Sequence, residues 1–197
     1  MSISAKEVKA LRDRTGAGMM DCKKALTETG GDIEAAIDAL RAKGAAKAAK
    51  RAEKSANEGT IGSYVHFDNR TAAIVEVNCE TDFVAKTDDF QGLAKQIALH
   101  IASQAPLSVA PEDIPEDVVA RERKVYEQQV KEQGKPDDIA LKIVEGKLNK
   151  FFKETTLLAQ PFVKNPDQTV GELITEMSAK TGEKIEVARF QRFKVGD

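Results

Sequence analysis

The hydrophobic period of this chain first changes near Asn57–Gly59, and that change limits the fold more than any other feature. Before it, apolar residues recur at helical spacing: Val8 with Leu11, Ala25 with Leu26, then Ile33, Ala36, Ile37 and Leu40. After it come "TIGSYVHF" and "TAAIVEVNC", separated by "DNR", which read as a β-hairpin with Ile74, Val75 and Val77 mostly buried. Helices alone, followed by a hairpin and more helices, imply an α+β fold.

The helical start subdivides further. Ser4 and Glu7 have the spacing of a capping box, and Ile3 with Val8 the spacing of a hydrophobic staple. "TGAG", Thr15 to Gly18, breaks this helix. A second helix runs through "MMDCKKALTETGG" to Gly30-Gly31, and Asp32 caps a third. Residues 1–44 thus form a three-helix module that is small to be stable alone. "AAKAAKRAEKSANEG" continues as a helical linker, residues 45–57, loosening towards Asn57 and Gly59.

Residues 58–197 form the α+β core. Thr87 caps a helix carrying Leu93, Ile97 and Ile101 that ends before Pro106. "PEDVVARERKVYEQQVKEQ" starts a helix at Pro115 and ends at Gly134, and "GKP" turns the chain. "DDIALKIVEGKLNKFFKE" returns with Ile139, Ile143, Phe151 and Phe152. This antiparallel helical hairpin, residues 115–154, is too polar for a core, so it either projects or lies on a surface. Thr169 with Glu172 forms another capping box. "KIEVARFQRFKV" is a strand whose apolar phase shifts between Val187 and Phe190, the mark of a bulge or of cover on both faces. Joined to the hairpin, it completes a three-stranded antiparallel sheet.

Composition narrows the function. The chain is 41% hydrophobic without Trp, so its core is aliphatic. Its net charge of -2 hides 12 basic against 8 acidic residues in 1–54. Arg41, Lys43, Lys47, Lys50, Arg51 and Lys54 suit either a solvated helix or weak phosphate contact, and no aromatic platform interleaves them for specific nucleic-acid binding. Cys22 and Cys79 lack metal or redox spacing, and no signal segment is recognisable before or after Ser2, which suggests reduced thiols in a cytosol-like compartment. No apolar run approaches the roughly 20 residues of a membrane span.

Enzyme signatures are missing. His66 and His100 stand apart from any Cys, HxxxH or HExxH pattern, and His100 lies between Leu99 and Ile101 as a packed structural residue would. There is no phosphate-cradling glycine loop. Asp82, Asp88 and Asp89 have the oxygen chemistry of a Mg²⁺ site, but acids in a first helical turn also answer to the helix dipole. No catalytic or metal-ligating residue and no cofactor is assigned. Phe83, at the end of a strand beside Asp82, is either a core aromatic or a presented one.

Two stretches carry more information. "LRDRTGAGMMDCKKAL", Leu11 to Leu26, and "EVNCETDFVAK", Glu76 to Lys86, resemble the two signature segments of the translation elongation factor Ts family; "LLAQPFVKNPDQTVGELI" and "FQRFKVG" resemble its C-terminal half. The resemblance implies a ubiquitin-associated-like N-terminal module, a helical hairpin that protrudes, and a non-enzymatic nucleotide exchange factor that binds elongation factor Tu with GDP. It implies that Thr81, Asp82, Phe83 and Val84 reach the partner's Mg²⁺ region, the ring acting as a wedge, while Arg12, Met19, Met20 and Lys23 face its nucleotide-binding domain. One of the two methionines is also a candidate for the bundle core. The alternative function is a protein-binding adaptor or chaperone-like module without exchange activity. Longer members carry two related core halves and a C-terminal helical module; this chain has room for one half, which suggests a homodimer that rebuilds the pair. The expected location is the bacterial cytoplasm, ahead of the plastid stroma.

Overall fold

The computed structural model describes residues 3–133 and 136–197. Gly134 and Lys135, where the sequence places the end of the first long helix and its turn, lie outside them, as does Ser2. The chain divides into two compact units. One holds Met1–Thr60, Val77–Leu93 and Leu173–Glu186, and the other holds Ile61–Glu76, Ala94–Glu172 and Val187–Asp197.

The first unit opens with α1 (Ala5–Thr15), α2 (Met19–Glu28) and α3 (Ile33–Lys50). The Ser4 hydroxyl accepts from the Glu7 amide at 3.3 Å, and the Glu7 carboxylate accepts from the Ser4 amide at 2.7 Å, closing the expected capping box. Gly16 ends α1 in the left-handed region at φ 64°, and Asp32 caps α3 through the Ala35 amide. Val8, Leu11, Cys22, Ala25, Leu26 and Ala36 form the module's core, with Ile3, Ile33, Ile37 and Leu40 packed around it. These are the faces that helical spacing predicts.

Helix α3 continues through Lys50, because "AAKAAK" consists of strong helix formers. Within it, Gly44 lies against α8 (Val170–Thr181): a Cβ at Gly44 would stand 3.1 Å from the Ala179 Cβ. Gly59 belongs to β1 (Glu58–Val65), where an added Cβ would lie 2.3 Å from the Val77 carbonyl oxygen, so the missing side chain permits close backbone approach.

Strand β1, β2 (Thr71–Cys79) and β5 (Glu186–Lys194) form the expected three-stranded antiparallel sheet in the order β1-β2-β5. In β2, Ala73, Val75, Val77 and Cys79 are buried, but Ile74 is 47% exposed. Of the three residues expected to be mostly buried, Val75 and Val77 are, and Ile74 is the exception because neighbours on a strand face opposite ways. Ile61, Val65 and Phe193 are exposed as well, so the second unit carries an apolar sheet face. Along β5, Val187 is buried, Ala188 and Arg189 are both exposed and Phe190 is half-buried; the alternation breaks where the phase shift was read.

Behind the sheet lies α5 (Asp88–Gln104), with Leu93, Ile97 and Ile101 buried. Gly62 of β1 meets its backbone: an added Cβ would lie 2.3 Å from the Ala94 carbonyl oxygen and 2.5 Å from its carbon. Neither atom can swing aside as a flexible side chain would. Gly62→Ala is therefore expected to destabilise the protein by about 3 kcal/mol. Urea unfolding measures it, and an unchanged midpoint would contradict this packing.

The second unit also holds the helical hairpin, α6 (Glu116–Glu132) and α7 (Asp137–Thr155). Val130, Val144 and Leu148 are its buried centre, with Val119, Tyr126, Ala140, Ile143 and Phe152 around them. Ile139 is 44% exposed. The stripe Ala140–Val144–Leu148, at intervals of four, takes the facing position, and Ile139 falls beside it. A small antiparallel ribbon, β3 (Pro161–Phe162) with β4 (Asn165–Thr169), was not anticipated; strands this short show no period. Thr169 and Glu172 close their capping box at the start of α8.

His100 is fully buried and structural. Its Nδ1 accepts from the Val163 amide at 3.2 Å, so Nε2 holds the hydrogen and donates to Gln160 Oε1 at 2.9 Å. Burial pushes its pKa down, so the folded protein keeps a neutral ring at pH values where the unfolded chain binds a proton. This stability is fully present above the unfolded value of about 6.5 and is lost below it at up to roughly 1.4 kcal/mol per pH unit. Denaturant unfolding between pH 7 and 5.5 should show that slope, and His100→Gln should flatten it. An equal slope in both proteins would place the titration elsewhere.

Candidate partner-binding site

Strand β2 ends at Cys79, and the chain turns at Glu80 and Thr81 into α4 (Asp82–Ala85). The Thr81 hydroxyl caps α4 by accepting from the Val84 amide at 3.4 Å. Cys79 and Ala85 are buried on either side of this turn, while Phe83 between them is 80% exposed. The choice between core aromatic and presented aromatic is thereby made: the ring is presented. Asp82 pairs with Lys86 one turn on, and that hydrogen bond holds its carboxyl below the usual range, so it is ionised at neutral pH. Val84 is half-buried.

A helix of four residues cannot hold its own shape. Two acids distant in sequence do so. The Glu183 carboxylate accepts from the Glu80 amide at 3.1 Å, the Thr81 amide at 3.0 Å and the Thr81 hydroxyl at 2.6 Å. In return, Glu80 Oε1 accepts from the Lys184 amide at 2.6 Å and from Arg51 Nη1 at 2.7 Å. Those two bonds, the Lys184 amide foremost, hold the Glu80 carboxyl below its ordinary pKa. Each turn grips the backbone of the other.

The four residues singled out in the N-terminal module lie around the α1–α2 junction. Arg12 and Lys23 are exposed. Met20 is 75% exposed and Met19 47%, so neither fills the bundle core; Cys22 does. Asp21 beside them receives Lys43 at 2.7 Å and Lys47 at 3.0 Å, which lower its pKa. With Arg51 on Glu80, three of the six clustered basic side chains are thus neutralised inside the fold, which weakens any reading of 41–54 as a phosphate-binding strip.

All eight singled-out residues fall in the first unit. Both groups are tied to α8 and the turn after it. The Lys180 side chain lies against Gly16 while its Nζ pairs with Asp89 at 2.7 Å, and Glu183 holds Thr81. Among the described residues no group of three His, Cys, Asp or Glu is placed to hold a metal, and Asp82 and Asp89 already face lysines. The Cys79 thiol donates to the Thr81 carbonyl at 3.2 Å, and burial pushes its pKa up, away from thiolate chemistry. Sequence reading missed Glu80 and Glu183. "TGEK" shows a helix end at Gly182, but nothing local indicates that its acid reaches amides some hundred positions earlier.

Residues 4–197 match the family described as Elongation factor TS. Elongation factor Ts of Desulfosudis oleivorans is 55% identical over 196 residues, covering 100% of this chain and 99% of the relative. That of Syntrophobacter fumaroxidans is 53% identical, covering 100% and 98%, and that of Thermosipho melanesiensis is 53% identical, covering 99% and 100%. No helix among the described residues is long and apolar enough to cross a membrane. With the match running from the first helix cap to the last residue and taking in both signature segments, the chain belongs to the elongation factor Ts family.

Proposed function

We propose that this chain carries out its family's nucleotide exchange on elongation factor Tu by setting the Phe83 ring, with Asp82 beside it, against the GTPase's Mg²⁺ and phosphate site. The observation that supports it most is a ring 80% exposed on a turn clamped from beneath. An exposed phenyl forgoes roughly 2 kcal/mol of burial, which insertion into a partner recovers. A surface that binds the nucleotide-free partner more tightly than the GDP-bound one lowers GDP affinity by the same coupling free energy. No bond is made or broken, so the exchange requires no catalytic residue, cofactor or bound metal from this chain. Thr81 and Val84 shape the wedge, and Asp82 competes for the hydrogen bonds around the metal.

In this reading, residues 1–44 dock on the partner's nucleotide-binding domain. Met19 and Met20 supply adaptable apolar contact, and Arg12 and Lys23 meet acids there. Residues 45–57 join this module to the core, 58–197, and the bacterial cytoplasm is the place of action. The test is mixing with elongation factor Tu that carries fluorescent GDP, in excess unlabelled nucleotide. Accelerated release is expected; tight binding without acceleration would leave an adaptor.

We also propose a homodimer through the outer sheet face. Ile61, Ile74, Val65 and Phe193 are exposed there, beside a concavity of about 320 Å³ lined in part by Ile61, Ile74 and Phe190. Arg189 pairs with Glu76 at 2.7 Å on the same face. A face with an apolar strip and both signs of charge complements its own copy across a two-fold axis.

A further inference from the structure

We infer that Glu183 is a positioning residue for exchange: its carboxylate holds the Glu80–Thr81 backbone so that Phe83 is presented in one orientation. This rests on the wedge reading above and goes beyond it, because Glu183 lies outside both signature segments and reaches the site only through the fold. The geometry is specific to a carboxylate. One oxygen accepts two consecutive amides and the other accepts the Thr81 hydroxyl proton. With its proton directed to Glu183, the hydroxyl's lone pair is left for the Val84 amide, which starts α4. The single-turn helix bearing Phe83 is therefore set by a side chain from the turn after α8. That turn is itself secured by two bonds. Ser178 Oγ donates to the Glu183 carbonyl at 2.5 Å, and the Lys184 amide donates to Glu80, whose carboxylate also pairs with Arg51. Lys180 and Ala179, on the same end of α8, contact Gly16 and Gly44 of the N-terminal module. One corner thus registers the wedge against the docking module, and a ring held in register binds without first being ordered.

Concentration series of GDP release from elongation factor Tu separate this role from simple folding support. Glu183→Ala is expected to lower the maximal release rate about tenfold, with half-saturating concentration changed less than about twofold, since a small misplacement lowers the rate while docking contacts persist. Glu183→Gln, which keeps size and one acceptor oxygen, should lie between, and it carries the test if the alanine variant does not fold. In the Phe83→Ala background, Glu183→Ala should slow release by much less than its tenfold effect in the wild type, because it acts mainly through the ring. Multiplying losses in the double variant, or a wild-type maximal rate in Glu183→Ala and Glu183→Gln, would overturn the inference while leaving the wedge standing. If Phe83→Ala itself releases GDP at the wild-type rate, the wedge falls and this inference with it.

Discussion

Phe83→Ala is expected to slow the release of GDP from elongation factor Tu by about 30- to 100-fold at saturating exchange factor, the equivalent of roughly 2–3 kcal/mol for an aromatic anchor at an interface. The size follows from where the ring sits. Phe83 is 80% exposed in the free protein, so its burial is deferred to the complex. Truncation should then leave the unfolding free energy within about 0.5 kcal/mol of wild type, as for other exposed positions. Stopped-flow release with fluorescent GDP gives the rate, and a thermal melt gives the control. Phe83→Leu keeps apolar bulk without the flat ring and should fall between. Equal release rates for wild type and Phe83→Ala would end the wedge mechanism, and a lowered melting point would show that the ring supports the fold instead.

The second large effect concerns the outer sheet face. Ile74→Asp places a carboxylate where the proposed dimer buries an apolar side chain, and under two-fold symmetry the substitution enters the interface twice. Each unpaired buried carboxylate costs several kcal/mol, so the dimer dissociation constant should rise by at least about a thousandfold. In the single chain Ile74 is already 47% exposed, so the variant should remain folded. Sedimentation equilibrium at micromolar concentration is expected to show a dimer for wild type and a folded monomer for Ile74→Asp. A monomeric wild type at that concentration would remove the dimer, and a dimeric variant would move its interface off this face.

Some of the fold was legible because the deciding interactions are local. Ser4 with Glu7 and Thr169 with Glu172 each form their bonds across three residues, and both boxes close as the spacing predicts. Thr87 and Asp32 cap as read, and Leu93, Ile97 and Ile101 line one side of one helix. Where two apolar residues are neighbours, the local pattern does not choose between them. Ile74 and Val75 are alike in sequence, and only the sheet shows which of them faces α5. In α7, Val144 and Leu148 take the facing stripe rather than Ile139, because the partner helix, not the sequence of α7, defines it. At Gly59 and Gly62 the sequence shows only a missing side chain. The reason lies in carbonyls of Val77 and Ala94, which no local pattern reveals.

By itself, the sequence determined the α+β class, the three helices before the sheet with the caps of the first and third, and, through its two signature segments, the elongation factor Ts family. These rest on caps, periods and motifs, which are short-range properties of a chain. Tertiary structure decided that Phe83 faces solvent, that both methionines do, and that Glu183 and Glu80 clasp the turn between them. The reason is physical. A four-residue helix at a strand end has no preferred direction of its own, and the amides that aim it are satisfied by a carboxylate about a hundred residues away.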